Sequence, residues 1–199
     1  LLFERLISDL SARFVNIAPD QVDNEIESAL EWLLEFFQVE RLGMCGFSPD
    51  RKRVCITYMA CAEGIERVSG EVELSNMFPW IYERVVLQGE PVLINKLKEL
   101  PERAEQDSLT CTAMGILSFV NIPLFLEREI SSLIFINAMR VERSWPEGYV
   151  PRLRLLGEIF INALERKNKE AELRERLTEI EKLKERLEKE NIYLQEEVK

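Results

Sequence analysis

The chain has 199 residues, 46% hydrophobic and 31% charged, which supports one packed domain plus an extension and argues against disorder. A formal net charge of -10 excludes a reader of nucleic-acid phosphates, and no apolar run approaches the ~20 residues of a membrane-spanning helix. The absence of histidine removes His-ligated haem, Ser-His and Cys-His catalysis, mixed Cys/His zinc sites and a phospho-accepting His from this stretch.

In chain order, Leu1 to about Val15 reads as an amphipathic helix, with Leu2, Leu6, Leu10 and Phe14 recurring every four residues. A second helix follows Pro19, with Asp20 as its N-cap and Val22, Ile26, Leu30, Leu33, Leu34 and Phe37 on its apolar face. Arg41 to Ser48 and Lys52 to Ala60 are short strand-like runs joined by the turn chemistry of Ser48-Pro49-Asp50, a β-hairpin. A weaker strand is expected from Glu66 to Leu74. Helical spacing returns from Asn76 to Gln88 through Phe78, Ile81, Tyr82, Val85 and Val86, and Gly89 is placed to end that helix.

Glu90 to Ile94 is then a short strand. Asn95 to Met114, polar and interrupted by Pro101, reads as a mobile region with at most a short helix. Two strong strands follow, Leu117 to Phe125 and Ile130 to Ala138, separated by Leu126-Glu127-Arg128-Glu129. The last helix starts between Ser144 and Pro151, with Ser144 to Glu147 as a capping box. Nothing after Pro151 breaks it, so it runs for ~50 residues, or ~75 Å. Strands in the middle and helices at both ends predict an α+β domain, an antiparallel sheet packed with helices. Cys45, Cys55, Cys61 and Cys111 lack CxxC spacing and read as reduced thiols of a cytoplasmic protein.

The run from Ser118 to Asn137, Ser-Phe-Val-Asn-Ile-Pro-Leu-Phe-Leu-Glu-Arg-Glu-Ile-Ser-Ser-Leu-Ile-Phe-Ile-Asn, resembles the two late strands of the GAF sensor domains. Their usual Gly-Val-Leu is replaced here by Ser132-Leu-Ile. Gln88-Gly-Glu-Pro-Val-Leu-Ile resembles the helix-to-strand passage in the middle of that fold, and the match spans most of residues 1–165. Leu155-Leu-Gly-Glu-Ile-Phe-Ile-Asn-Ala-Leu-Glu-Arg-Lys and Leu183-Lys-Glu-Arg-Leu-Glu-Lys-Glu-Asn-Ile-Tyr-Leu-Gln-Glu-Glu resemble the segment leading from a GAF domain into the AAA+ ATPase of sigma-54-dependent activators of the formate-hydrogenlyase type. Similar connectors occur in GAF-containing histidine kinases. The resemblance implies a bacterial, cytoplasmic regulatory domain over residues 1–165, and a coiled-coil linker over 166–199 leading to an output module. The opening on Leu1-Leu2-Phe3 and the close within a helix fit a piece of a longer protein. Sigma-54 RNA polymerase and DNA would then be reached only through other domains, since this stretch carries neither a phosphate loop nor a helix-turn-helix.

In the linker, Leu173, Ile180, Leu187 and Leu194 recur every seven residues as heptad d positions, and Leu177, Lys184, Asn191 and Val198 are the matching a positions. Such a seam predicts a parallel homodimer of marginal stability, with Asn191 fixing register. Glu165/Lys169, Glu170/Arg174, Glu172/Arg176 and Glu185/Lys189 are i, i+4 pairs adding ~0.3 kcal/mol each to the helix.

A GAF-like fold implies a small-molecule site between the sheet and the middle helices. The candidates for its lining are Cys45, Phe47, Tyr58, Phe78, Trp80, Tyr82, Cys111, Met114, Phe119 and Asn121. Asn121, in an apolar strand, requires a hydrogen-bond partner. The signature of cyclic-nucleotide-binding members is absent, as is the His that accompanies bilin attachment. Four scattered cysteines make a poor metal site, and no metal ligand, catalytic residue or cofactor is assigned; the ligand is unnamed. Three alternatives stand beside the sigma-54 reading: a kinase sensor, an enzyme like the free methionine-sulfoxide reductases, and a ligand-free dimerisation scaffold.

Overall fold

The computed structural model of the chain describes residues 2–68 and 70–197. Helix α1 spans Leu2–Val15 and α2 spans Val22–Phe37. The period of their apolar residues sets their buried faces: Phe3, Leu6, Leu10 and Phe14 on one, Val22, Ile26, Leu30, Leu33 and Phe37 on the other. Pro19–Gln21 form a separate 3-10 turn, so α2 starts later than Asp20 implies and carries no side-chain cap.

Strands β1 (Arg41–Phe47) and β2 (Val54–Cys61) form the predicted hairpin. Ser48 closes it, its backbone N–H donating to the Arg53 carbonyl and its hydroxyl donating to Asp50. The expected third strand shrinks to β3 (Glu71–Val72). The predicted middle helix is broken at Pro79 into α3 (Leu74–Met77), α4 (Pro79–Tyr82) and a wide π turn over Glu83–Leu87. Gly89, at φ +69°, ends it and turns the chain into β4 (Val92–Ile94).

The region expected to be mobile instead folds into two 3-10 turns and helix α5 (Glu105–Ala113). Strands β5 (Ser118–Leu126) and β6 (Glu129–Ala138) meet in a two-residue turn, with both Glu127 and Arg128 at positive φ. Among the described residues six strands pair antiparallel in the order β3-β2-β1-β6-β5-β4.

The last helix, α6, runs for 49 residues, Tyr149–Glu197. The expected capping box does not form. The Trp145 backbone N–H donates to Asn95 Oδ1 (2.6 Å) and its indole N–H to the Ile94 carbonyl (3.2 Å), which fixes this segment well before the helix begins.

The sheet separates two cores. On one side α1, α2 and the first five turns of α6 bury Leu42, Met44, Val120, Ile122, Leu124, Ile134 and Ile136. On the other, α3, α4, α5 and the π turn cover Cys45, Val54, Met59, Phe119, Leu133 and Phe135. The packed part of α6 ends at Arg166 and Lys167. Arg166 donates to the carbonyls of Phe14, Val15 and Ile17, closing the end of α1, and Lys167 donates to Asp23 on α2.

From Ala171 through Asn191, α6 is exposed on every side. Leu173, Leu177, Ile180 and Leu187 each show more than half of their surface to solvent, and Lys184 forms an exposed ion pair with Glu188. Leu194 lies within α6, and Val198 falls outside the described residues. The pairs Glu165–Lys169, Glu170–Arg174 and Glu172–Arg176 form as expected, whereas Lys184–Glu188 and Arg186–Glu190 occupy the stretch where Glu185–Lys189 was anticipated. Among the described residues no helix is long and apolar enough to cross a membrane.

Candidate ligand-binding site

The sheet face turned away from α6 carries a cavity of about 90 Å³. Strand alternation sets its floor: Arg41 and Cys45 on β1, Val54 and Ile56 on β2, Phe119 and Asn121 on β5, and Leu133, Phe135 and Asn137 on β6. Leu74, Phe78, Ile81, Cys111, Met114 and Ile116 close it from above, with Val68 and Val72 at one side.

The roof is held by a buried carboxylate. Asp107 on α5 is completely buried and accepts the backbone N–H groups of Trp80 (3.1 Å) and Ile81 (2.9 Å), the first turn of α4. Burial pushes the Asp107 carboxyl above its ordinary range, while the N–H groups of Ile81, Trp80 and Asp107 itself pull it back. One turn along, the Thr110 hydroxyl donates to the Met77 carbonyl at 2.8 Å. The segment read as mobile is thus stitched to α3 and α4, and it places Cys111 and Met114 over the sheet.

Of the residues predicted for the site, Cys45, Phe78, Cys111, Met114, Phe119 and Asn121 line this cavity together. Phe47, Trp80 and Tyr82 pack on the same side of the sheet, outside the cavity wall. The Trp80 indole N–H is buried there without an acceptor among the described residues. Tyr58 is a correction. A shift in register between β1 and β2 at Met44/Cys45 turns it to the face covered by α1, α2 and α6, where its hydroxyl donates to Asp23 Oδ1 at 2.6 Å. Burial first and that bond second push the phenol's pKa up, while Lys167 first and Tyr58 second hold Asp23 below the usual carboxylate range.

The thiols of Cys45 and Cys111 are both pushed up to about 12, chiefly by burial. Among the described residues no group of three or more His, Cys, Asp or Glu could hold a metal ion.

Two polar residues of the floor were not anticipated. Arg41 is 4% exposed and Asn137 8%. They face each other across the β1–β6 pairing. With the Asn137 amide turned oxygen-first, the Arg41 Nε and Nη2 donate to it at 3.2 and 3.3 Å, and its nitrogen donates to the Ile136 carbonyl at 3.1 Å. Both lie in the alternation that includes Cys45 and Phe135, so period two alone would have put them on the cavity side.

No family model and no curated protein matches this sequence. Solved structures do match its backbone. The phycocyanobilin-bound GAF domain of a cyanobacterial phytochrome superposes with a TM-score of 0.68 at 16% identity, over 85% of this chain and 97% of that one. The GAF domain of an Acinetobacter phosphoenolpyruvate-protein phosphotransferase gives 0.65 at 9% identity, over 86% and 98%. The fold is a GAF fold. A free methionine-R-sulfoxide reductase from Neisseria meningitidis, solved with its substrate, gives 0.65 at 12% identity over 84% and 91%. The GAF fold therefore accommodates both binding modules and an enzyme, and at these identities the likeness establishes architecture alone.

Proposed function

We propose that this chain is the small-molecule-sensing regulatory part of a bacterial, cytoplasmic signalling protein, and that it works as a parallel homodimer. The observation that carries the reading is α6: one unbroken helix is built into the core at its start and leaves the domain with an exposed apolar stripe. At ~100° per residue, the stripe of Leu173, Leu177, Ile180 and Leu187 is centred roughly 125° around the helix from Leu153, Leu156, Phe160 and Ala163, which pack on the sheet. The stripe is in phase with Leu155, itself 46% exposed. A second copy laid along this stripe covers it and brings the outer faces of the two domains' α6 helices together. A change in domain packing is then felt as a change in register or splay of the pair.

The output we assign is the AAA+ ATPase of a sigma-54-dependent activator, on the strength of the linker's resemblance to that family. A reductase reading is disfavoured by the cavity cysteines, which stay protonated at neutral pH. Two measurements test the proposal. Light scattering of the chain is expected to give a dimer that Ile180→Asp converts to monomer; a wild-type monomer at high micromolar concentration would overturn the dimer. A metabolite screen by thermal shift is expected to yield a ligand that stabilises by about 2.7 kcal/mol at a hundredfold excess over Kd. The gene read onward should encode a phosphate loop and a helix-turn-helix; a kinase with a phospho-accepting His would move the sensor to the other class.

A further inference from the structure

Arg41 is out of place in this cavity. It opens β1 in the middle of the sheet, between Cys61 on β2 and Asn137 on β6, and only 4% of its surface is exposed. The surface arginines Arg13, Arg51, Arg53 and Arg84 each pair with a carboxylate. Arg41, among the described residues, has the neutral amide of Asn137 and no carboxylate. Its Nη1 donors bond to nothing described. Burial lowers its pKa, opposed by the Cys61 thiol, yet a guanidinium remains protonated at any physiological pH. A buried charge without a counterion is costly, and a fold that retains one has a use for it.

We propose that the cavity takes a small monocarboxylate, its carboxylate paired with the Arg41 guanidinium and its short carbon body on the apolar wall. This rests on the reading of the domain as a small-molecule sensor and names the class of molecule sensed. A guanidinium presents a planar fork that matches a carboxylate in two parallel hydrogen bonds. The wall supplies one positive charge, which balances one negative charge, whereas a phosphate dianion would be left half neutralised. Asn121, on the same floor, makes no side-chain hydrogen bond to any described residue and is free to bond a second polar atom of the guest. The volume of about 90 Å³ is well below the roughly 150 Å³ that holds a benzene-sized guest. It suits an acid of about two to four carbons. Phe119, Leu133 and Phe135 form the apolar side against which such a body packs.

The test is calorimetric titration of the whole chain with acetate, propionate and pyruvate at constant ionic strength and pH 7, against acetamide and propionamide as neutral isosteres. At least one acid is expected to bind, at least tenfold tighter than its amide, and Arg41→Met is expected to weaken it tenfold or more. Arg41→Met should also raise the melting temperature of the ligand-free protein, because it removes an uncompensated charge; an arginine serving only the structure would lower it. Should the variant not fold, the ¹⁵N resonance of the wild-type Arg41 Nε reports the same contact, moving with the acids and not with the amides. Equal binding of acids and amides, or acid binding undiminished in Arg41→Met, overturns the anion assignment and leaves the sensor reading standing. Failure of all five probes also overturns the assignment, while a neutral metabolite found by the thermal-shift screen would preserve the sensor.

Discussion

Asp107 is the residue whose removal should do most damage for its size. Its carboxylate is the acceptor for the Trp80 and Ile81 N–H groups at 3.1 and 2.9 Å, and the helix it serves, α4, is only four residues long. Asp107→Ala leaves one fully buried and one part-buried donor without a partner, at roughly 1–3 kcal/mol for the first and less for the second. Relief of the carboxylate's own desolvation offsets part of that, giving about 1–4 kcal/mol net loss. For a domain of this size that is roughly 2–16 °C in Tm. Asp107→Asn keeps one acceptor, turns an NH₂ toward the other donor, and should lose about half as much. Urea unfolding gives the magnitude, with an unchanged m-value as the control for two-state behaviour. Amide exchange at Trp80 and Ile81 gives the location. If Asp107→Ala falls within about 0.5 kcal/mol of wild type, or if exchange accelerates elsewhere and not at these two amides, the roof is held by packing and the argument from Asp107 fails.

Three smaller effects follow from the same geometry. The β5–β6 turn places Glu127 and Arg128 at φ +50° and +73°, where non-glycine residues are strained. Replacing the pair by Asn-Gly is expected to stabilise by about 1 kcal/mol in thermal melts. A β-carbon on Gly157 would stand 2.3 and 2.6 Å from the Leu124 methyls and 2.9 Å from Ile134. Gly157→Ala should therefore destabilise by up to about 2 kcal/mol despite its helix-propensity gain. A double-mutant cycle with Leu124→Ala should show favourable coupling. Asp23 is held low by Lys167 and Tyr58, so its contribution is present above pH 3.8 and is lost as pH falls through its depressed folded value. Its side chain is 44% exposed, so Asp23→Asn should flatten the acid limb of the stability profile by no more than about 1 kcal/mol.

Elements with a clean period were legible in the sequence: α1, α2 and α6 by their stripes, β2, β5 and β6 by β-branched runs bounded by turn residues, and β1 as the short apolar run on the other side of the Ser48-Pro49-Asp50 turn. Those read wrongly were governed by tertiary contacts. Helix α5, Glu-Gln-Asp-Ser-Leu-Thr-Cys-Thr-Ala, has no apolar stripe, because two of the groups it turns inward are a carboxylate and a thiol. Its Leu109 is 59% exposed. Local propensity cannot see that Asp107 will find two N–H donors more than two dozen residues away. The capping box at Ser144 failed for the same kind of reason: Asn95 and Ile94 claim the donors of Trp145, and the chain turns into α6 only afterwards.

The candidate site divides along the same line. Aromatics and thiols in strand-like runs could be assigned to it because apolar side chains must go somewhere inside. The register shift at Met44/Cys45 changed the side to which Tyr58 points. Arg41 is hidden from a sequence reading because charge is an indicator of exposure nearly everywhere else in this chain, and the rule breaks where β1 begins between two other strands with both edges paired. A residue at a strand end is free to leave the sheet only if the neighbouring strands stop with it. Here Arg41 is still paired on both sides, with Cys61 at the end of β2 and with Asn137 one residue short of the end of β6, so it is held in the sheet and carried into the interior on the phase already set by Cys45. The feature that says most about what the cavity holds thus depends on sheet order, which one strand's sequence does not contain.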